Sequence, residues 1–123
     1  DVSDYHERQP DIAEDDTLEL ESDIFKYVKK IINLCKKNNV KLIFYKAPYI
    51  STENELRKNN WFSNYCKDNE LPFYNLEKEI IFDISTDFLD YEHLNINGAQ
   101  KATDYLAKNT THISSSLFLC SRN

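Results

Sequence analysis

One junction occurs twice in this chain, as KKNNVKLIFY at 36–45 and KDNELPFYNL at 67–76. Each time a charged helix end passes through a short polar turn directly into an apolar run. VKLIFY at 40–45 is nearly continuous in its apolarity, the pattern of a strand covered on both faces. PFYNL at 72–76 reads as the second strand. Helix-then-strand order, repeated, predicts parallel strands joined by a right-handed crossover, hence an α/β fold. Two such strands alone would leave two open edges, and VKLIFY is too apolar to lie at an edge in water. Its partner could be TLEL at 17–20, ISSSLFL at 113–119, a second copy of the chain, or a missing N-terminal half. The reading favours the missing half.

The helices follow from apolar spacing. Over 22–38, Ile24, Val28, Ile31, Ile32 and Cys35 form one stripe. Ser22 is placed to cap its start, and Asn38 and Asn39 supply the stop. Over 53–68, Leu56, Trp61, Phe62, Tyr65 and Cys66 give a broad apolar face, and Pro72 bars the helix from resuming. Residues 77–86, EKEIIFDIST, fit either a short strand or an apolar loop over the sheet end. A third helix is expected over 98–108, with Ala99, Ala102, Tyr105 and Leu106 inward. Small Gly98 and Ala99 would let it approach the sheet closely.

Charge divides the chain. Residues 1–23 hold ten acidic side chains and one basic, Arg8, whereas the remainder holds 14 basic and 11 acidic. Residues 1–21 therefore read as an acidic arm or linker, 22–109 as the α/β domain, and 110–123 as a tail. No basic stripe points to nucleic acid. No apolar run approaches the roughly 20 residues of a membrane span. The 123 residues contain no Met, so a cut piece of a longer chain is expected. Cys35, Cys66 and Cys120 are odd in number and match no zinc or disulfide spacing. Neither a metal nor a cofactor is expected.

Chemistry concentrates in DFLDYEHLNINGAQKATDYL at 87–106. Asp90 and His93 stand three apart, close enough for the carboxylate to hold Nδ1–H and leave Nε2 as a base. A second cluster follows the first strand. Loops at the carboxyl ends of parallel strands are where open α/β sheets bind ligands. This makes Lys46, Tyr49 and Ser51 candidate substrate-binding residues, although Ser51 or Thr52 would also serve simply to cap the next helix. His6 and His112 read as solvated.

The stretch DYEHLNINGAQKATDYL resembles the last sequence block of the SGNH (GDSL-type) hydrolases, where Asp and His lie three apart before the C-terminal helix. The H-L-N-x-x-G-A form is similar to the DltD-like group that acts on acyl groups of bacterial surface polysaccharides. The resemblance covers roughly residues 24–108. It implies the second half of a flavodoxin-like three-layer sandwich with a short parallel sheet. It further implies Asp90 as orienting acid, His93 as general base, an acylated glycan or small ester as substrate, and a location in the cell envelope. The sequence departs from that pattern in two respects. The family's Gly-Asp-Ser turn and its oxyanion-hole Gly and Asn have no counterpart here. Ser3, Ser22, Ser51, Ser63 and Ser85 all lack the strand–turn setting that exposes an activated hydroxyl. The chain is thus expected to carry half of a triad and to be inactive alone. The competing expectations are a non-catalytic module that pairs through an open sheet edge, and a Cys35 or Cys66 nucleophile working with His93.

Overall fold

The computed structural model describes residues 9–110 and 116–120. His6 and Ser3 in the arm and His112 in the tail lie outside the described residues. The elements run α1 (Ser22–Lys37), β1 (Lys41–Lys46), α2 (Glu53–Asp68), β2 (Phe73–Asn75), α3 (Leu76–Glu79), α4 (Ile84–Asp87), α5 (Ile96–Thr110) and β3 (Ser116–Cys120). The protein is a mixed α/β structure built on a small parallel sheet.

The sheet order is β2-β1-β3. β1 pairs in parallel with β2 at Phe44↔Phe73 and with β3 at Ile43↔Phe118. The predicted central, two-face-buried strand is therefore present: Leu42, Ile43 and Phe44 are all buried. Its second partner differs from expectation. The C-terminal segment supplies it, so β1 does not wait for a missing half, and it is not an open edge. TLEL forms no strand. Leu20 instead drops into the core while the amide of Leu18 donates to the carbonyl of Arg57.

Each face of the sheet has its own apolar cluster. On one side Leu42 and Phe44 meet Ile32 and Cys35 of α1 and Phe62 and Cys66 of α2. Phe25 lies edge-on to both Trp61 and Tyr65. On the other side Tyr45 and Tyr74 pack with Leu76, Phe82, Phe88 and the Ala102, Tyr105 and Leu106 face of α5. Two assignments of helix faces shift. Ile24 is exposed and Phe25 takes its place inward, and Ala99 faces outward, leaving Gly98 as the buried small residue. Ser22 is the first residue of α1 rather than its cap; Glu21 stands at the cap without a side-chain bond. Of the two alternatives for this stretch, residues 80–83 form the apolar loop, with Phe82 fully buried, between one-turn helices that were not anticipated.

The repeated junction is a repeated structure. After α1 the amide of Val40 donates to the carbonyl of Cys35, and after α2 that of Leu71 donates to Cys66, both at 2.8 Å. Asn39 and Glu70 sit between them at φ of 57° and 56°. These are Schellman closures, in which a left-handed residue turns the chain and the next apolar side chain folds back on the helix. Asn tolerates that conformation better than Glu does.

The acidic segment is not a loose arm over its described part. The Nδ2 group of Asn60 donates to the carbonyls of Ala13 and Asp16, each at 3.0 Å. Arg57 pairs with Asp16, Lys58 with Glu21 and Lys78 with Glu14. The uneven charge of the sequence thus resolves into a negative strap lying on a positive flank. Hydrogen bonds from Lys78 and Lys58 hold the carboxyls of Glu14 and Glu21 below their ordinary range.

Two outcomes test these features. Glu70→Gly should raise stability by about 0.5–1 kcal/mol, since glycine enters the left-handed region freely, with a smaller gain for Asn39→Gly. Urea midpoints decide it, and a loss at Glu70→Gly would count against the strain assignment. The lowered carboxyls make the strap's ionic attachment complete above the ordinary carboxylate range. That attachment is lost as pH falls through the lowered values, beneath the ordinary carboxylate range. Hydrogen exchange at the Leu18 amide should then outpace that at Phe44, whose amide bonds Pro72; equal protection of both at pH 3 would refute it.

Candidate functional site

The site is a loop closed at its base by backbone pairing. Phe88 and Leu94 form an antiparallel bridge, and the amide of Leu89 donates to the carbonyl of His93 at 2.8 Å. Five residues, 89–93, must then reverse direction. Asp90 makes this possible: its Oδ1 accepts the amide of Glu92 at 2.8 Å, an Asx turn. The same oxygen lies 2.8 Å from Nδ1 of His93.

Below the loop, polar groups fix its foot to α5. Asp87 is 1% exposed. Its carboxylate accepts from Lys101 Nζ at 2.6 Å and from the amide of Asp83 at 2.8 Å. Its carbonyl accepts the amide of Asn95 at 2.8 Å. Asn95 then caps α5, its Oδ1 accepting the amides of Asn97 and Gly98 while its Nδ2 donates to the carbonyl of Thr86. Gly98 is required by contact, not by dihedral angle. A Cβ there would lie 2.2 Å from the Asp87 carbonyl oxygen and 2.7 Å from Leu94. The close approach anticipated for this glycine is thus to the foot of the loop rather than to the sheet.

The loop stands at the carboxyl end of β1, as expected for a ligand-facing rim. The amide of Ile50, four residues beyond the strand, donates to the carbonyl of Tyr91 at 2.9 Å. The second cluster is present but turned inward. Lys46, Tyr49 and Ser51 are 0%, 3% and 4% exposed. Lys46 Nζ pairs with Glu77 at 3.0 Å and lies 4.7 Å from the centre of the Tyr49 ring. The Tyr49 hydroxyl donates to Glu55 at 3.0 Å, and Ser51 Oγ donates to the Tyr49 carbonyl. Their side chains brace the rim from below and do not present themselves to solvent. Thr52 is the helix cap, in a capping box with Glu55. Gln9 was not singled out in the sequence, yet it joins this node. Its Nε2 reaches the Tyr49 carbonyl and Glu77, and its Oε1 accepts the Ser51 amide. A glutamine in an acidic segment has no periodicity to mark it.

The electrostatics fix the roles within the pair. The backbone amide of Glu92, followed by the His93 ring, holds the Asp90 carboxyl below its ordinary range. An ionised carboxylate only accepts, so a neutral His93 carries its proton on Nδ1. No described residue hydrogen-bonds Nε2, and no described serine bonds the ring. Both members of the pair are more than half exposed. The two described cysteines are elsewhere. Cys35 and Cys66 lie in the helix–sheet core, and burial pushes the Cys66 thiol up to about 12. Neither is placed as a nucleophile for His93. Among the described residues no cluster of three potential metal ligands occurs.

Residues 7–115 match the model of an uncharacterised protein family. The chain belongs to that family. No curated protein and no solved structure matches it.

The tautomer is directly measurable. Nitrogen-15 shifts of neutral His93 should report a protonated Nδ1 and a bare Nε2, the reverse of the preference of a free histidine side chain. Asp90→Ala should restore the free preference, and a wild-type ring protonated on Nε2 would break the assigned roles.

Proposed function

We propose that this chain carries the acid and base of an SGNH-type esterase or O-acyltransferase acting on acyl groups of surface glycans. In this reading Asp90 orients His93, and His93 Nε2 takes the proton from a serine supplied by a segment outside these 123 residues. The sheet would then be the C-terminal portion of a flavodoxin-like three-layer sandwich. The observation that carries the reading is the 2.8 Å contact between Asp90 Oδ1 and His93 Nδ1, on a loop tied to the carboxyl end of the central parallel strand. The need for Gly98 and Asn95 in seating that loop accounts for why the H-L-N-x-x-G form accompanies the pair in this chain.

The unpaired-strand argument does not contribute, because β3 pairs with β1. What points to an outside nucleophile is the setting of the serines. Ser51 is buried against its own loop, and Ser85 donates to Asp83 at 2.7 Å in a turn. Neither has the geometry of an activated alcohol.

A second reading has one observation in its favour. Asp90 already accepts the Glu92 amide, so the pair also serves as a brace for the loop of a non-catalytic binding module. Turnover separates the two. The chain alone should not cleave p-nitrophenyl esters. The longer protein containing it should cleave them through a Gly-Asp-Ser-like turn. His93→Ala in that protein should lower kcat by roughly 10²–10⁴, the range for losing a general base. Unchanged turnover in His93→Ala, or an upstream segment with no such serine, would leave the brace as the function.

A further inference from the structure

Helix α1 has two apolar faces, and the core uses one of them. Phe25, Val28, Ile32 and Cys35 pack toward the sheet and α2. Ile24, Tyr27, Ile31 and Leu34 form a second stripe in the same sixteen-residue helix. Their alternating three- and four-residue spacing is that of a helix–helix seam. Ile24, Tyr27 and Leu34 are 47%, 64% and 61% exposed, while Ile31 is half-buried between the two faces. Single exposed apolar residues are ordinary, but these lie in register along three turns and make one patch. Its direction follows from its neighbours. Phe25 lies against Trp61 and Tyr65 of α2, and the stripe is centred roughly 140° around the helix from Phe25. It therefore points away from α2, on the flank where β3 ends the sheet. Among the described residues no strand pairs with the outer edge of β3.

The charges bordering the stripe select its occupant. Asp23, Lys30 and Lys37 follow one another along a single border, a heptad apart. Lay an identical helix antiparallel across the stripe, so that Ile24 meets the partner's Leu34 and Tyr27 meets the partner's Ile31. Every apolar member then meets another member under one two-fold axis, as an isologous interface requires. Asp23 comes beside the partner's Lys37 at both ends of the seam. We propose that α1 is the seam of an antiparallel homodimer, with the two-fold axis beside β3. The association is weak for two reasons. Lys30, whose Nζ lies 5.3 Å from the centre of the Tyr27 ring, meets its own counterpart at the middle. Two helices of this length also bury less than the roughly 1,200 Å² at which stable interfaces begin, even with the β3 edge adding to them. The proposal is independent of the esterase reading.

The test is sedimentation equilibrium of the 123-residue chain up to about 1 mM, the upper end of weak but specific association. A monomer–dimer equilibrium is expected. Leu34→Glu places a carboxylate beside the partner's Asp23 and removes two apolar contacts per dimer, so it should weaken the dimer by at least about tenfold. Asp23→Lys and Lys37→Asp should each weaken it severalfold, and the two together should restore it, because the pair is only exchanged. Lys30→Gln should tighten it, an outcome peculiar to a seam in which this lysine faces itself. All four sites are exposed, and unchanged nitrogen-15 shifts of His93 report that each variant is folded. A chain that stays monomeric throughout, a dimer that Leu34→Glu leaves intact, a double charge exchange that fails to restore pairing, or a dimer weakened by Lys30→Gln would each overturn the proposal. Leu34-dependent binding of a monomeric chain to phosphatidylserine vesicles would overturn it too, in favour of a lipid surface.

Discussion

A lysine ammonium that water cannot reach must be answered by the protein, and Lys46 is fully buried at the end of the central strand. Leaving such a charge unpaired inside a protein costs several kcal/mol. Glu77 answers it with a carboxylate and Tyr49 with the face of its ring. Each partner brings its own segment. Glu77 fixes the turn after β2, Tyr49 fixes the loop after β1, and Gln9 bridges the two while holding the strap against them. One desolvated charge therefore collects three separate stretches of chain at the carboxyl rim of the sheet. An apolar residue at 46 would have filled the space without specifying that convergence.

The candidate site depends on this node at one remove. The loop that Tyr49 anchors continues to Ile50, whose amide holds Tyr91. From the other direction, Asp87 and Asn95 fix the foot of the same loop to α5. The Asp90 and His93 side chains are thus exposed, while the backbone that carries them is held from two sides. An exposed pair at the tip of a free loop would spend much of its time apart, because surface ion pairs are worth little by themselves. Here the restraint comes from buried polar groups beneath and not from the pair itself.

Periodic and compositional features were legible in the sequence. The two helix-to-strand junctions were readable because apolar spacing changes period across them. The D-x-x-H pair was readable because its geometry is local. What escaped has a common cause. Gln9 and Asn60 act through side-chain hydrogen bonds to groups distant in the chain, and such bonds leave no periodic trace. Lys46 read as a candidate substrate-binding residue because lysine is almost never fully buried, and only its partner thirty-one residues later makes burial tolerable. The tail read as only one of several possible partners for β1 because Ser116–Cys120 is too short for its pattern to outweigh the serines before it. The acidic segment read as an arm or linker because its neutralising partners, Arg57, Lys58 and Lys78, lie on other elements.

Exposure sets what the pair can do as it stands. In water a carboxylate steadies an imidazolium only modestly, because the solvent screens their attraction. The same two groups become far stronger partners once water is excluded, since the field between them is no longer divided by a high dielectric. The loop satisfies the geometric half of a general base and leaves the dielectric half to whatever covers it. Under the proposed function the cover would come from the nucleophile-bearing segment, closing over Nε2. Arrival of the alcohol and activation of the base would then be one event, because the segment that brings the hydroxyl also excludes the water that screens Asp90 from His93.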